Sequence, residues 1–156
     1  AINKDDWVIE GTYQESFDKE ADKWVISYET KVLSDIKQAE CRIEIEDGYY
    51  RVMTYLPFKA SDNNKDQCME FISISNNGNF NGSFGMEWES GRIYYKESIC
   101  LMGDTELNEE ILNSSRWTPI ASLVLHEPGF RAIFESNMTA KEADRIVRES
   151  DPKLQQ

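Results

Sequence analysis

The strongest pattern of apolar and polar positions surrounds a short turn, Asp47-Gly48. Apolar residues occupy alternate positions on both sides of it, and Asp-Gly is a preferred pair for a two-residue type I′ turn. Pairing outward from the turn joins Glu46 with Tyr49, Ile45 with Tyr50, Glu44 with Arg51, Ile43 with Val52, and Cys41 with Thr54. One face of this hairpin is then apolar, and the other pairs a glutamate with an arginine. Because a slip by one residue would turn those charges towards the core, the pattern predicts this register.

A helical pattern follows Pro57, which we expect to end the second strand of the hairpin. Cys68, Phe71, Ile72 and Ser75 recur at helical spacing in this segment and give the helix one mainly apolar face. Asn64 is a suitable N-cap, with Gln67 as its capping-box partner, and Gly78 is expected to end the helix in the left-handed conformation. Asn76, on the last turn, either caps the helix or is a buried polar residue that needs partners.

A second hairpin is predicted directly after this helix. Apolar and polar residues alternate over residues 83–88 and again over 92–101, with a turn at 89–91. Glu97 interrupts the apolar face of the second strand. A helix followed by a hairpin, each with one apolar face, is typical of a two-layer domain.

The N-terminal part of the chain leaves two alternatives open. Alternation over residues 24–31 predicts a strand, but residues 28–38 also fit helical spacing. Further upstream, we expect a strand that begins at Trp7 and a polar helix over residues 13–22.

The C-terminal half predicts several helices separated by prolines. Thr105 is placed to cap a helix that ends near Trp117, because a proline inside a helix costs about 3 kcal/mol. Pro119 would then begin a second segment, and Pro128 would separate a further short helix. A capping box at Thr139 opens the last helix.

The length of 156 residues fits one domain. We expect an N-terminal extension over residues 1–22, a single domain over 23–149 and a frayed tail over 150–156. The predicted elements indicate an α+β fold, with an antiparallel sheet of about five strands packed against helices.

The charge of the chain limits its partners. It has 29 acidic and 17 basic residues, a formal net charge of −12. Such a surface repels phosphate groups, so we expect neither nucleic acid nor membrane as a partner. The apolar runs are also shorter than the roughly 20 residues that a membrane-spanning helix needs.

The residues with reactive side chains do not form the sequence pattern of a catalytic site. Cys41, Cys68 and Cys100 are widely spaced, which is typical of reduced, buried cysteines rather than of a disulfide or zinc site. His126, the one histidine, is expected to be a surface or capping residue beside the break at Pro128. We predict no catalytic residue, no cofactor, no cofactor-binding residue and no metal ligand.

Exposed aromatic residues are frequent anchors at protein interfaces. We therefore predict a possible partner surface, against the alternative that these aromatic side chains belong to the core. Its residues would be Trp88, Tyr94, Trp117 and Phe130.

Four segments of the chain carry a family resemblance. They are YYRVMTYLP at 49–57, EFISISNNGNF at 70–80, GSFGMEWESGRIYYKESICLMG at 82–103 and TELNEEI at 105–111. Together they resemble the YbjN family, described as bacterial sensory transduction regulators, in which a helix ending in asparagine lies near a Gly-x-Phe strand. Here those positions are Asn76, Gly82 and Phe84. Pro119 departs from the family pattern, because its position falls inside what is usually one continuous helix in the family.

The resemblance implies a two-layer sandwich like that of type III secretion chaperones, without established catalytic residues. Our first hypothesis is therefore a non-catalytic protein-interaction domain, chaperone-like or regulatory, that acts in signalling or stress regulation. It would bind a protein or peptide segment, and a homodimer is possible. The alternative is a small-molecule-binding protein or a carboxylate-based enzyme with a cleft between sheet and helices. We expect the bacterial cytoplasm, although a removed signal peptide stays open because the chain begins at Ala1.

Overall fold

The structure, a computed structural model, describes residues 14–19, 23–30, 39–46, 48–79, 81–101 and 107–151. Within these ranges it contains six strands and three helices. The strands are β1 (Gln14–Asp18), β2 (Lys23–Thr30), β3 (Ala39–Glu46), β4 (Tyr49–Lys59), β5 (Ser83–Met86) and β6 (Arg92–Cys100). The helices are α1 (Lys65–Asn76), α2 (Glu109–Ser136) and α3 (Ala140–Ser150).

All six strands form one antiparallel sheet, in the order β1-β2-β3-β4-β6-β5. This confirms the predicted α+β class, with six strands instead of about five. The additional strand is β1, so the predicted helix over residues 13–22 is wrong where the structure describes it. β1 belongs to the sheet although it lies in the predicted N-terminal extension. The strand predicted at Trp7 and residues 31–38 lie outside the described ranges.

The β3–β4 hairpin has the predicted register, from Glu46 opposite Tyr49 to Cys41 opposite Thr54. The prediction that Pro57 ends the strand is wrong, because β4 continues to Lys59. The register shifts between residues 55 and 59. In this irregular stretch the missing N–H of an exposed proline costs no regular ladder hydrogen bond.

α1 occupies the predicted segment, but its ends differ from the prediction. Asn64 is the N-cap residue, as predicted, but its Oδ1 accepts a hydrogen bond from the Ser61 N–H and none from the first turn of the helix. Gln67 Oε1 accepts one from the Ala140 N–H, and thereby ties α1 to the first residue of α3. Gly78 does not have the left-handed backbone expected of it.

α2 is one continuous helix of 28 residues with Pro119 and Pro128 inside it, so both predicted breaks are wrong. Its buried apolar residues are Pro119, Ile120, Leu123, Phe130 and Ile133. Burial of each of the four larger side chains stabilises the folded state by about 1.5–3 kcal/mol. Together they outweigh the cost of the two prolines, which is about 3 kcal/mol for each. The N-cap is Asn108, whose Oδ1 accepts from the Ile111 N–H. Thr105, the predicted cap, lies outside the described ranges.

The helices form a second layer on one face of the sheet. α2 packs on β4 and β6, α1 packs on β5, and α3 packs on both of these helices. The Thr139 capping box of α3 is present as predicted, with Glu142 as its partner. The core lies between the two layers, and its largest fully buried side chains include Tyr50, Tyr95, Phe71, Phe130 and Ile93.

Candidate binding surface

A row of apolar residues crosses the helix-facing side of the sheet from β1 to β6. Directly paired residues of neighbouring antiparallel strands lie on the same face. The paired residues are, in order, Phe17, Trp24, Ile45, Tyr50 and Ile99. Tyr50 is buried under α2, and its hydroxyl accepts a hydrogen bond of 3.2 Å from Ser115 Oγ. The row therefore lies on the side of the helices.

The β1 end of this row is exposed. The side chains of Phe17 and Trp24 are 41% and 45% exposed, and their ring centroids are 5.1 Å apart. Ile26 and Ile45 beside them are only partly buried. Among the described elements, the helices pack most closely on β4, β5 and β6, and β1 and β2 lie at the far side of the sheet from them. We call these four residues the aromatic end.

The helix that covers the row begins with two acidic residues. Glu109 and Glu110 are exposed in the first turn of α2. Glu109 lies about 9 Å along the helix axis from Ser115, whose side chain contacts Tyr50 where α2 covers the row. Of the nearby lysines, Lys19 is exposed, while Lys23 lies on the opposite face with its Nζ 3.8 Å from Glu44 Oε1.

The four aromatic residues predicted from the sequence do not form one surface. Trp88 is 54% exposed in the turn between β5 and β6. Tyr94 is half-buried on the outer face of the sheet, and Trp117 is partly buried against the core. Phe130 is fully buried, so it is part of the core and of no surface.

The aromatic end was missed because Phe17 was placed in a predicted helix. Trp24 lies in a strand that the alternation predicted correctly. A strand over residues 14–18 brings Phe17 beside it, since antiparallel pairing of β1 with β2 places these two residues opposite each other. The signal was a stretch of only five residues, of which one is apolar.

A cluster of ion pairs lies on the outer face of the sheet. Glu44 is nearly buried there, because three cationic side chains surround its carboxylate. Arg42 Nε lies 3.0 Å from Oε1, Arg51 lies 3.1 Å from Oε2, and Lys23 is further away. The same face also carries Tyr49, which is 46% exposed.

Polar groups also lie between the sheet and α2, where the alternative hypothesis needs a cleft. Glu97 on β6 faces this layer beside Tyr50 and Tyr95, and Tyr95 hydrogen-bonds Ser122 of α2. Oε2 of Glu97 is shielded from solvent without a hydrogen-bond partner, and burial raises the pKa of its carboxyl. An acid–base pair of carboxyls would need, beside Glu97, a second carboxyl that stays ionised.

His126 is a core residue of α2, which corrects the prediction of a surface or capping residue. Its Nδ1 lies 2.9 Å from the carbonyl oxygen of Ser122, and its ring centroid lies 4.8 Å from that of Phe84. Burial lowers the pKa of its imidazole. The misplacement followed from the predicted break at Pro128, which the helix does not have.

The cysteines agree with the prediction in two of three positions. Cys41 and Cys68 are buried, and burial raises the pKa of the Cys68 thiol to about 12. Cys100, at the end of β6, is exposed instead of buried. In the part of the chain that the structure describes, no three histidine, cysteine, aspartate or glutamate side chains are grouped as a metal site would require.

Two further findings concern the described helices and the similarity of the chain to known proteins. Among the described helices, none is both long and apolar enough to cross a membrane. Comparison of the chain with protein-family models, curated proteins and solved structures finds no match. The resemblance to the YbjN family and to type III secretion chaperones therefore stays a prediction, and function must be argued from the surface itself.

Proposed function

We propose that this chain is a non-catalytic protein-interaction domain, chaperone-like or regulatory, that binds an apolar segment of another protein on the aromatic end. The observation that carries the proposal is the exposed pair Phe17 and Trp24, which continues a buried row of the core. The family resemblance supports the same class of function and a bacterial, cytoplasmic setting.

The physical argument is the free energy of the exposed apolar area. A large aromatic side chain carries about 150–250 Å² of surface, and burying apolar area contributes about 25 cal/mol per Å². Completing the burial of two rings that are less than half exposed therefore supplies a few kcal/mol. The strands beneath them are held in register by β3, so the rings lose little freedom when a partner binds.

A partner must also contact residues around the aromatic end. A stable interface buries about 800 Å² on each protein, more than two half-exposed rings provide. The neighbouring isoleucines Ile26 and Ile45 are described groups beside the rings. The aromatic end would then be the central anchor of a larger contact.

The test compares the unchanged chain with the double variant Phe17→Ser/Trp24→Ser. The matched control is Trp88→Ser, which removes a tryptophan of similar exposure, 54% against 45%, at the opposite edge of the sheet. Each chain is immobilised and exposed to native lysate, and any protein enriched by the unchanged chain is then purified and titrated by calorimetry. Circular dichroism and thermal unfolding establish that each variant is folded.

The proposal expects one protein that binds the unchanged chain and the Trp88→Ser control with similar affinity. The double variant should bind it at least about tenfold more weakly, the equivalent of about 1.4 kcal/mol. A partner that binds the double variant as tightly as the unchanged chain would place the interface elsewhere. Failure to enrich any protein would also count against the proposal.

A further inference from the structure

We infer that the segment bound by the aromatic end is cationic as well as apolar, with lysine or arginine residues beside the side chains that contact Phe17 and Trp24. This inference rests on the proposed function and names the chemistry of its partner. Three observations carry it: the charge of the chain, the acidic turn of α2 and the exposed faces of the two rings.

The net charge of −12 decides between an acidic and a basic partner. An acidic segment, or a second copy of this chain, would approach against repulsion, whereas a basic segment is attracted from solution. Attraction of this kind raises the rate of association and selects among apolar segments that would otherwise bind alike. The charge thus disfavours a second copy as the occupant.

Two of the acidic charges lie in the first turn of α2. Glu109 and Glu110 are exposed there, and Glu109 lies about 9 Å along the helix axis from Ser115, which hydrogen-bonds Tyr50 of the row. This distance is within one Debye length, which is about 10 Å at 0.1 M salt. The described cations on this side are Lys19, which is exposed, and Arg116, which interacts electrostatically with Tyr50, whereas Lys23 is engaged by Glu44 on the opposite face.

The rings themselves also bind cations. The face of a tryptophan or phenylalanine ring attracts an ammonium or guanidinium group within about 6 Å of its centroid. The described residues already make this contact at three places. Arg92 lies 4.0 Å from the ring centroid of Tyr55, Arg131 lies 5.4 Å from that of Phe58, and Lys65 lies 5.5 Å from that of Trp88. A cationic segment can therefore use Phe17 and Trp24 both as apolar and as electrostatic partners.

The test uses two dye-labelled synthetic peptides of equal length. One contains leucine and lysine residues with serine spacers, and the other has glutamate in place of every lysine. Each is titrated with the full chain by fluorescence anisotropy, at low and at physiological salt. The chain is used unchanged, as Phe17→Ser/Trp24→Ser, and as Glu109→Gln/Glu110→Gln.

The matched control for the last variant is Glu70→Gln/Glu89→Gln. It removes the same charge from exposed sites on α1 and in the β5–β6 turn, at the opposite edge of the sheet. We expect the lysine peptide to bind at least about tenfold more tightly than the glutamate peptide at low salt, with a smaller ratio at higher salt. Glu109→Gln/Glu110→Gln should weaken binding of the lysine peptide about threefold or more, and the control should leave it unchanged.

Each other outcome separates this inference from the proposed function. If both peptides bind equally and both depend on Phe17 and Trp24, the surface is correct and the inference about charge is overturned. If the lysine peptide binds, but Glu109→Gln/Glu110→Gln and the control Glu70→Gln/Glu89→Gln weaken its binding alike, the attraction comes from net charge alone and the inference also fails. If binding is independent of Phe17 and Trp24, the proposed surface itself is wrong. If neither peptide binds, the cationic partner is rejected, while a partner found by calorimetry would still support the proposed function.

Discussion

The side-chain amide of Asn76 hydrogen-bonds both backbone polar groups of Phe84. The Phe84 N–H donates to Oδ1 at 2.7 Å, and Nδ2 donates to the Phe84 carbonyl at 3.0 Å. The last residue of α1 thus bonds the outer edge of β5 as a further strand would. An asparagine amide can do this because it carries one acceptor and two donors side by side. The contact thereby joins the end of α1 to the strand that carries Gly82 and Phe84.

Replacing Asn76 with alanine should destabilise the protein by about 1–3 kcal/mol, because two backbone groups in a partly buried position lose their partner. Asn76→Asp keeps the acceptor but sets a carboxylate against the Phe84 carbonyl, so it should cost a similar amount. Urea denaturation measures both effects. Asn77→Ala, at the exposed neighbouring position, is the control and should change little. Equal stability of Asn76→Ala and Asn77→Ala would show that the two hydrogen bonds contribute nothing.

Gly129 allows the three helices to meet closely. A Cβ at this position would overlap Cζ of Phe71 on α1, and would lie 3.0 Å from Cγ2 of Val147 on α3. Overpacking of this kind costs about 1–3 kcal/mol, against about 1 kcal/mol gained from the helix propensity of alanine. We therefore expect Gly129→Ala to destabilise the protein by about 1 kcal/mol in thermal or urea unfolding.

The control for this prediction is Gly78→Ala, where an added Cβ has open space and the backbone is not left-handed. That variant should be nearly neutral. Combining Gly129→Ala with Phe71→Leu should cost less than the sum of the two single changes, because the smaller side chain relieves the overlap. A strictly additive double variant would argue against the overlap as the cause.

Local sequence patterns correctly predicted those features that neighbouring residues determine. The β3–β4 register followed from the turn at Asp47-Gly48 and from the alternation beside it, because a slip turns every side chain to the other face. The capping box at Thr139 is likewise a matter of a few neighbouring residues. Both predictions needed no knowledge of the rest of the fold.

The wrong predictions concern segments whose state depends on distant partners. Pro119 and Pro128 carry a local cost in a helix, but the sheet under α2 supplies burial that outweighs it. β1 is a strand because it pairs with β2, although its own residues resemble a polar helix. The candidate surface was missed for the same reason, since Phe17 meets Trp24 only after that pairing.

His126 should lose its proton at a lower pH than an ordinary histidine. Burial favours its neutral form, while the Ser122 carbonyl and Asp144 oppose this shift less strongly, so its pKa lies below 6.5. With the folded pKa depressed, its contribution to stability is fully present above pH 6.5 and is lost as the pH falls through the folded pKa. Because the chain has one histidine, a proton NMR titration of the imidazole reports this pKa directly. A midpoint at or above 6.5 would refute the prediction.

Glu97 should have the opposite pH dependence. Burial raises the pKa of its carboxyl above the ordinary 4.5, so the folded state favours the protonated form. Its contribution is therefore fully present below pH 4.5 and is lost as the pH rises through the folded pKa. Glu97→Gln cannot ionise, so it should be more stable than the unchanged protein at neutral pH, and the difference should vanish in acid when urea denaturation is repeated across pH. Glu142→Gln is the control of opposite sign, because hydrogen bonds from Thr139 lower the pKa of Glu142 and its loss should destabilise above pH 4.5. A Glu97→Gln variant that is less stable at neutral pH would mean that the ionised carboxylate is satisfied in the folded protein.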